Sequence, residues 1–378
     1  MQSSGRGSCH ALTPQKTWEV ERKMSGAVDF ISRNNSSTTA LIQTASTPTY
    51  VIPEGRLRLT PLRLCIWMGR ALFHIRNLRD VLHFLAGIPL FSEMVQRNPR
   101  FAFKFLIGDY LAKGFSISEC AACFLHHYKS LHKMLPNHLL RQILQEEVAL
   151  HVFPEGGDRF TLTLGLSRPY DNEGELTLRL RVDGDIVFVL AFTVVPGWVV
   201  KSPADDALLI TRLQGIKGRY RQIAIATKAL HDVAPSRLLL AALQGIAGFF
   251  GISAIAAVPA EKQNSYKKDA DLKFKNAYDN LFTELGLSKD DGGFFSSAVP
   301  IDHKPILSIK RGHRLRAKRK REFKHRVQLA CSSFFANYAG NRAMERSKER
   351  TVAQLPRAWP VSATPPASTQ PRRNLLVK

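Results

Sequence analysis

The chain is short of cysteine: Cys9, Cys65, Cys120, Cys123 and Cys331 are its five, at irregular spacing. That pattern excludes a disulfide framework and points to a reducing compartment. Acidic residues are also scarce, 31 Asp and Glu against 54 Lys and Arg, for a net charge of +23. Long apolar runs are missing as well. The best candidate, LRLCIWMGRALFHIRNLRDVLHFLAGIPLF, is interrupted by Arg63, Arg70, Arg76, Arg79 and Asp80, so it reads as soluble helix, not a membrane span. The first residues, MQSSGRGSCHALTPQKTWEVERK, lack the apolar core of a secretory leader. There is no G-x-S-x-G elbow and no G-x-x-x-x-G-K-[ST] phosphate loop. His151, His231 and His303 are isolated, so each reads as structural or surface.

What is present is enough apolar residue, 44%, for a sizeable core. The positive charge is segregated. From Lys304 onward there are 19 Lys/Arg and 3 Asp/Glu, so that segment alone holds +16 of the +23. The charge argument therefore concerns a C-terminal element and leaves the globular part only mildly basic.

Five segments follow from the change of pattern along the chain. Residues 1–60 are rich in Ser, Thr, Gln and Asn without periodicity and read as a disordered tail. Residues 61–145 carry apolar positions at helical spacing, in LFHIRNLRDVLHFL and FAFKFLIGDYL, and are expected to be a helical subdomain. Gly114 is expected to end one helix, Ser116-Ile-Ser-Glu119 to open the next as a capping box, and Pro136 to stop it. Residues 146–308 change to strands. GELTLRLRV alternates, with Leu176, Leu178, Leu180 and Val182 on one face and Thr177, Arg179 and Arg181 on the other. Asp183-Gly184 predicts a tight hairpin into DIVFVLAFTVV. A strand Leu208–Leu213, two helices, an apolar strand Ile252–Val258 and a helix Phe274–Leu285 follow. Residues 309–340 read as a basic helix and 341–378 as a second disordered tail. The fold class is α+β: a helical N-terminal subdomain, an antiparallel-to-mixed sheet flanked by helices, and a basic C-terminal helix.

Several blocks stand in an order that resembles the bacterial VirK/YbjX family: GDYLAKGFS, FLHHYKSL, LLITRLQG, PSRLLLAAL, GISAIAAV, KFKNAYDNLFTELG and the basic helix after residue 308. The likeness covers about residues 65–335. It implies a setting in virulence, envelope remodelling or resistance to cationic antimicrobial peptides, and no particular reaction. Two departures limit residue-level transfer: the family usually has Trp where Phe282 stands and a second Gly where Leu287 stands.

Strand, glycine turn, helices, strand and a helix ending in Leu-Gly are also similar to the second half of the GNAT N-acyltransferase fold. That likeness implies an acyl-CoA site in which backbone N–H groups after the central strand hold the pyrophosphate. Arg212, Gln214, Gly215, Lys217 and Gly218 stand at that place. Arg212 and Gly215 match the first Arg and Gly of the usual R-x-x-G-x-G/A loop, Lys217 occupies its final small position, and Gly218 falls one residue late. GNAT enzymes often place a Tyr four residues before the closing Gly to protonate the departing thiolate. Phe282 stands there and has no proton to give, which leaves Tyr278, one turn earlier, as the weak candidate for a catalytic acid.

Three further features carry candidate chemistry. Cys120-Ala-Ala-Cys123 before His126-His127 offers metal-ligand atom types, but inside a predicted helix the spacing reads as a buried face, and no metal site is assigned. Lys273, Asn276, Tyr278, Asp279 and Glu284 lie on or beside the last helix of the α+β region, as pocket residues or as ordinary surface pairs. Lys310, Arg311, Arg314, Arg316, Lys318, Arg319, Lys320, Arg321, Lys324 and Arg326 make a basic helix with one acid among them. Such density suits phosphate-bearing polyanions: anionic lipid, lipopolysaccharide or, without base reading, nucleic acid. VQLACSSFFANY after it is expected to add apolar anchors of an interfacial helix. The favoured reading is a cytoplasmic factor with peripheral contact to the inner membrane through this helix. The alternatives are a GNAT-like acyltransferase and a non-specific nucleic-acid binder.

Overall fold

The structure is a computed structural model and describes residues 69–353 apart from 107, 108, 155–158, 168–171 and 303. The expected tail 1–60 and most of the tail from 341 lie outside the described residues. The chain to Ala339 forms one compact unit, and Gly340 onward a second, of which residues 340–353 are described as helix.

The N-terminal part is built of α1 (Ile75–Ala86), α2 (Pro89–Arg97), a 3-10 helix (Pro99–Leu106), α3 (Ile117–Met134) and α4 (Asn137–Gln145). Pro89 opens α2 at its first turn, where the missing N–H costs nothing. The capping box on α3 is present: the Ser116 hydroxyl accepts from the Glu119 N–H at 3.2 Å and the Glu119 carboxylate accepts from the Ser116 N–H at 2.7 Å. Pro136 does end α3, whose C-cap is the extended Leu135. FAFKFLIGDYL differs from expectation, because its first half is a 3-10 helix that ends at Leu106. Gly114, with φ +91°, turns a loop and does not end a helix.

Among the described residues, eight strands form one sheet in the order β1-β2-β3-β4-β5-β6-β8-β7. They are β1 (Val148–Val152), β2 (Phe160–Leu166), β3 (Leu176–Val182), β4 (Asp185–Pro196), β5 (Asp206–Gly215), β6 (Ala254–Ala257), β7 (Ser288–Lys289) and β8 (Phe295–Ala298). Only β5 and β6 are parallel; every other neighbouring pair is antiparallel. The hairpin at Asp183-Gly184 holds both residues at positive φ, +51° and +84°, as a tight primed turn requires. β3 alternates as its sequence predicts, yet six of its seven residues are buried. Both faces are covered, and α3 packs on β4 and α4 on β2.

After β5, α5 (Tyr220–Ala229) and α6 (Pro235–Phe250) cross back to β6, so two helices do follow the glycine turn. α6 packs on β3, β4 and β5, and twelve of its sixteen residues are buried, as a sequence apolar nearly all round demands. Gly251 closes it in the left-handed conformation, φ +67°. The apolar strand after it is Ala254–Ala257, shorter than predicted. The single helix expected over Phe274–Leu285 is two, α7 (Asp271–Ala277) and α8 (Asp279–Leu285), with the break at Tyr278 (φ −116°, ψ −61°).

The last helix, α9 (Arg314–Ala353), extends well beyond residue 340. Phe323, Val327, Cys331 and Phe335 recur every four residues and are all buried. They face α6, where Gly245 lets the backbones meet: a Cβ there would stand 2.3 Å from the Gln328 carbonyl oxygen. Phe335 packs with Phe249 and Phe250 at centroid distances of 5.3 and 5.7 Å. Val327, Cys331 and Phe335 of the flank read as interfacial anchors are therefore core, while Leu329 is exposed. The helical part and the sheet share one hydrophobic core.

Candidate functional site

The least expected polar group in the chain is Glu175, at the entry to β3, with no exposed surface. One carboxylate oxygen accepts from the Tyr110 hydroxyl at 2.5 Å and pairs with the Lys104 ammonium at 3.1 Å. The other accepts from the Tyr128 hydroxyl. The Glu175 N–H donates to the Thr193 hydroxyl at 3.0 Å, and Lys104 also donates to the Gly174 carbonyl at 3.2 Å. Burial raises the Glu175 pKa, but the Lys104 charge and the two phenols outweigh it and bring it below the usual range. Burial and the Glu175 charge push both tyrosines well above theirs, so each stays a hydrogen-bond donor.

His127 lies beside this cluster. β3 starts opposite Phe192, so β4 runs on through Pro196 with no β3 partner. The Val194 N–H there donates to His127 Nδ1 at 3.0 Å. Nε2 consequently carries the ring proton, and it has no hydrogen-bond partner among the described residues. Burial holds its pKa down to about 3.

Lys104 and Glu175 form the floor of a cavity of about 210 Å³ that Phe101, Leu144, Leu166, Ser167 and Arg179 also line. Its charged lining is balanced, Arg97, Lys104 and Arg179 against Glu146, Glu147 and Glu175. With each floor group already bonded, the cluster's evident work is to tie the helical part to the sheet. Sequence reasoning missed it because Lys104, Tyr110 and Tyr128 stand 47 to 71 residues from Glu175. The blocks GDYLAKGFS and FLHHYKSL nonetheless contain Tyr110 and Tyr128.

The predicted CoA turn is only partly assembled as expected. β5 pairs with β4 through Gly215 but with β6 only to Ile210, so the two parallel strands part there. Arg212 pairs with Glu173 at 3.5 Å, and the Gln214 amide, oriented to satisfy both groups, accepts from the Arg212 guanidinium at 2.7 and 2.5 Å. Gly215 lies against the Ile223 side chain. Lys217 and Gly218 are exposed, and Gly218 turns the chain at φ +80°. Beyond the parting, the loop from Asp109 to Lys113 is fastened on two sides. Leu111 N–H donates to Asn172, at 2.8 Å, and Lys113 N–H to Lys262, also at 2.8 Å.

Tyr278 is 4% exposed and lies between Phe274 and Phe282, each 6.2 Å away. Asp279 accepts from the Ala260 N–H at 2.7 Å and fixes the chain after β6. Cys120 and Cys123 are buried on α3, and burial pushes the Cys120 thiol up to about 12 and the Cys123 thiol well above its ordinary value. Among the described residues no group of three His, Cys, Asp or Glu could hold a metal ion.

The basic residues of α9 divide into two sets. Lys310 and Arg311, just before α9, and Lys318, Arg319 and Arg326 on it are exposed, Arg326 lying over the ring of the buried Phe323 at 5.5 Å. Arg314, Lys320, Arg321 and Lys324 are partly buried along the flank of the helix. Arg314 donates to Ile309 and Leu307, Arg321 to Lys304, and Lys320 to the Asp232 carbonyl, while the exposed Arg316 pairs with the Asp232 carboxylate at 2.8 Å. Among the described residues no helix is long and apolar enough to cross a membrane.

A family model described as "Protein of unknown function (DUF535)" matches residues 62–332. The uncharacterized protein YbjX of Escherichia coli strain K12 is 24% identical over 283 residues, 70% of this chain and 81% of that protein. No solved structure matches. With the family model covering more than half its length, the chain belongs to the DUF535 family, that of VirK and YbjX.

Proposed function

We propose that the chain works at an anionic surface, held there by the solvent face of α9, in the virulence or envelope-remodelling setting that the family resemblance implies. One observation carries this reading. The apolar stripe of α9 is locked against α6, so Lys318, Arg319 and Arg326 are presented outward on a rigid rod. Each basic side chain near an anionic leaflet contributes about 1 kcal/mol, which salt screens within roughly 10 Å. Because the stripe from Phe323 to Phe335 is occupied, contact is mainly electrostatic, with Leu315 and Leu329 as the exposed apolar side chains of the helix. The location this favours is the cytoplasmic side of the inner membrane, where anionic headgroups are available.

The test is sedimentation with phosphatidylglycerol vesicles over a salt series. Binding at low salt that falls steeply as salt rises, and is weakened about tenfold or more in K318Q/R319Q/R326Q, is expected. Equal binding to neutral phosphatidylcholine vesicles, or none to either, defeats the reading. Tighter binding to a random DNA duplex than to vesicles would move the partner to nucleic acid.

A second reading, a GNAT-like acyltransferase, is favoured by a separate observation: the strand order with its one parallel pair, and the parting of β5 from β6 at Ile210. In that reading acyl-CoA enters at the parting, with Arg212, Gln214, Gly215, Lys217 and Gly218 at the pyrophosphate. Calorimetric titration with acetyl-CoA decides it. Micromolar binding abolished by Gly215→Trp supports the site, and no heat with the wild type removes it.

A further inference from the structure

The cavity of about 210 Å³ beside the Glu175 cluster lies on the seam between the helical part and the sheet. Phe101, Lys104 and Leu144 reach it from the helical part. Leu166, Ser167, Glu175 and Arg179 reach it from β2, β3 and the residues next to them. Packed interiors leave few voids larger than one water molecule, whose share of the liquid is about 30 Å³. This space is several times that. Arg97 and Glu146 mark its mouth and are exposed, whereas Lys104, Ser167, Glu175 and Arg179 at its floor are buried.

The acceptors around the floor are engaged. Glu175 takes bonds from Tyr110 and Lys104 on one oxygen and from Tyr128 on the other. Glu147 accepts from Thr163 and twice from Arg181, at 3.0 and 2.8 Å. The Leu166 carbonyl accepts from Arg179 at 2.9 Å. A donor is left over. The Lys104 ammonium has three N–H bonds. Glu175 at 3.1 Å and the Gly174 carbonyl at 3.2 Å meet two of them, and the Tyr110 ring centroid stands 5.8 Å away. Among the described residues no acceptor takes the third. A buried cation with an open donor at the foot of apolar walls asks for an anionic acceptor that carries an apolar body.

We propose that this cavity binds a small organic carboxylate, its anionic group at Lys104 and its apolar body between Phe101, Leu144 and Leu166. The volume lies below the roughly 300 Å³ at which sites for drug-sized ligands begin, so a short-chain or single-ring acid fits. A phosphate lacks the apolar body that the walls would cover. The ligand touches side chains of both the helical part and the sheet, so it fastens the seam that the Glu175 cluster already joins. This goes beyond the surface reading and does not depend on it, since none of these residues lies on α9.

The experiment titrates the full chain with benzoate and with hexanoate at constant ionic strength. Benzamide keeps the ring without the charge, and acetate keeps the charge without the body. Three variants accompany the wild type. K104M/E175Q removes the donor cation together with its counter-charge. L144W fills the space from the apolar wall. K318Q/R319Q/R326Q alters only the face of α9. At least one of the two acids is expected to bind about tenfold or more tightly than benzamide and acetate. That binding should fall about tenfold or more in K104M/E175Q and in L144W, and less than about threefold in the α9 variant. Thermal melts report folding separately: the bound acid should raise the midpoints of the wild type and the α9 variant and leave that of L144W unmoved. Should K104M/E175Q fail to fold, L144W decides.

A wild type that binds neither acid overturns the site. Benzamide binding as tightly as benzoate overturns the anionic group, and acetate binding as tightly as both acids overturns the apolar body. Binding retained in L144W, or lost in the α9 variant, places the acid outside the cavity and overturns the proposal. Each of these outcomes leaves the vesicle test of the surface reading untouched.

Discussion

Lys104 and Glu175 meet as an ion pair at 3.1 Å with 5% and 0% of their side-chain surface exposed. Lys104 comes from the helical part and Glu175 from the sheet, so the bond joins two stretches that hydrophobic packing alone would leave free to slide. Taking two charges out of water is repaid only where the remaining hydrogen-bonding capacity is filled, and the two tyrosines fill that of Glu175.

Removing one partner should therefore be worse than removing both. Lys104→Met leaves a buried carboxylate uncompensated and is expected to destabilise by about 3–5 kcal/mol, read as a fall in the urea midpoint. Adding Glu175→Gln should recover part of that loss, because the uncompensated charge is gone. A double variant as unstable as the two singles summed would contradict the pairing.

Acid should weaken the fold through His127. Its folded pKa, about 3, lies below the ordinary value of 6.5. The unfolded chain therefore binds the proton first, and stability falls as pH drops from about 6.5 towards 3. At pH about 4.5 the loss is roughly 2–3 kcal/mol. His127→Gln, whose amide oxygen can accept from Val194, should flatten the difference between urea midpoints at neutral and acid pH. Glu175 contributes in the same direction below the usual carboxylate range, so the comparison is between variant and wild type.

The α6–α9 crossing gives a paired prediction. Gly245→Ala places a methyl against backbone, 2.3 Å from the Gln328 oxygen, and should cost about 1–3 kcal/mol. It should also make α9 a site of early cleavage in limited proteolysis. Gly248→Ala, three residues on, meets nothing within 4 Å and should be neutral or stabilising by about 0.5–1 kcal/mol.

Local chemistry was legible wherever a short segment decides its own conformation. Ser116 with Glu119 and Asp183 with Gly184 fixed a helix start and a hairpin because their partners lie within three residues. α9 was legible as a basic helix, but not the use of its apolar stripe, because Phe335 meets Phe249 across 86 positions of chain. β3 shows the same limit. Its alternation is visible, but a strand with Arg179 and Arg181 on one face reads as half-solvated until Glu147, from the end of another segment, pairs with both at 3.5 and 2.8 Å. The Glu175 cluster has no local pattern at all. A lone Lys inside FAFKFL and a Glu beside a glycine are ordinary until the chain has folded.

The division of labour around Glu175 bears on how relatives of this chain can exchange parts. Its three donors, Lys104, Tyr110 and Tyr128, are encoded before the first strand, and the acceptor after the second. A recombinant joined near residue 146 inherits the donors from one parent and the carboxylate from the other. Such a hybrid folds best where both parents use the same lock, so successful crossovers should fall before residue 104 or after residue 175.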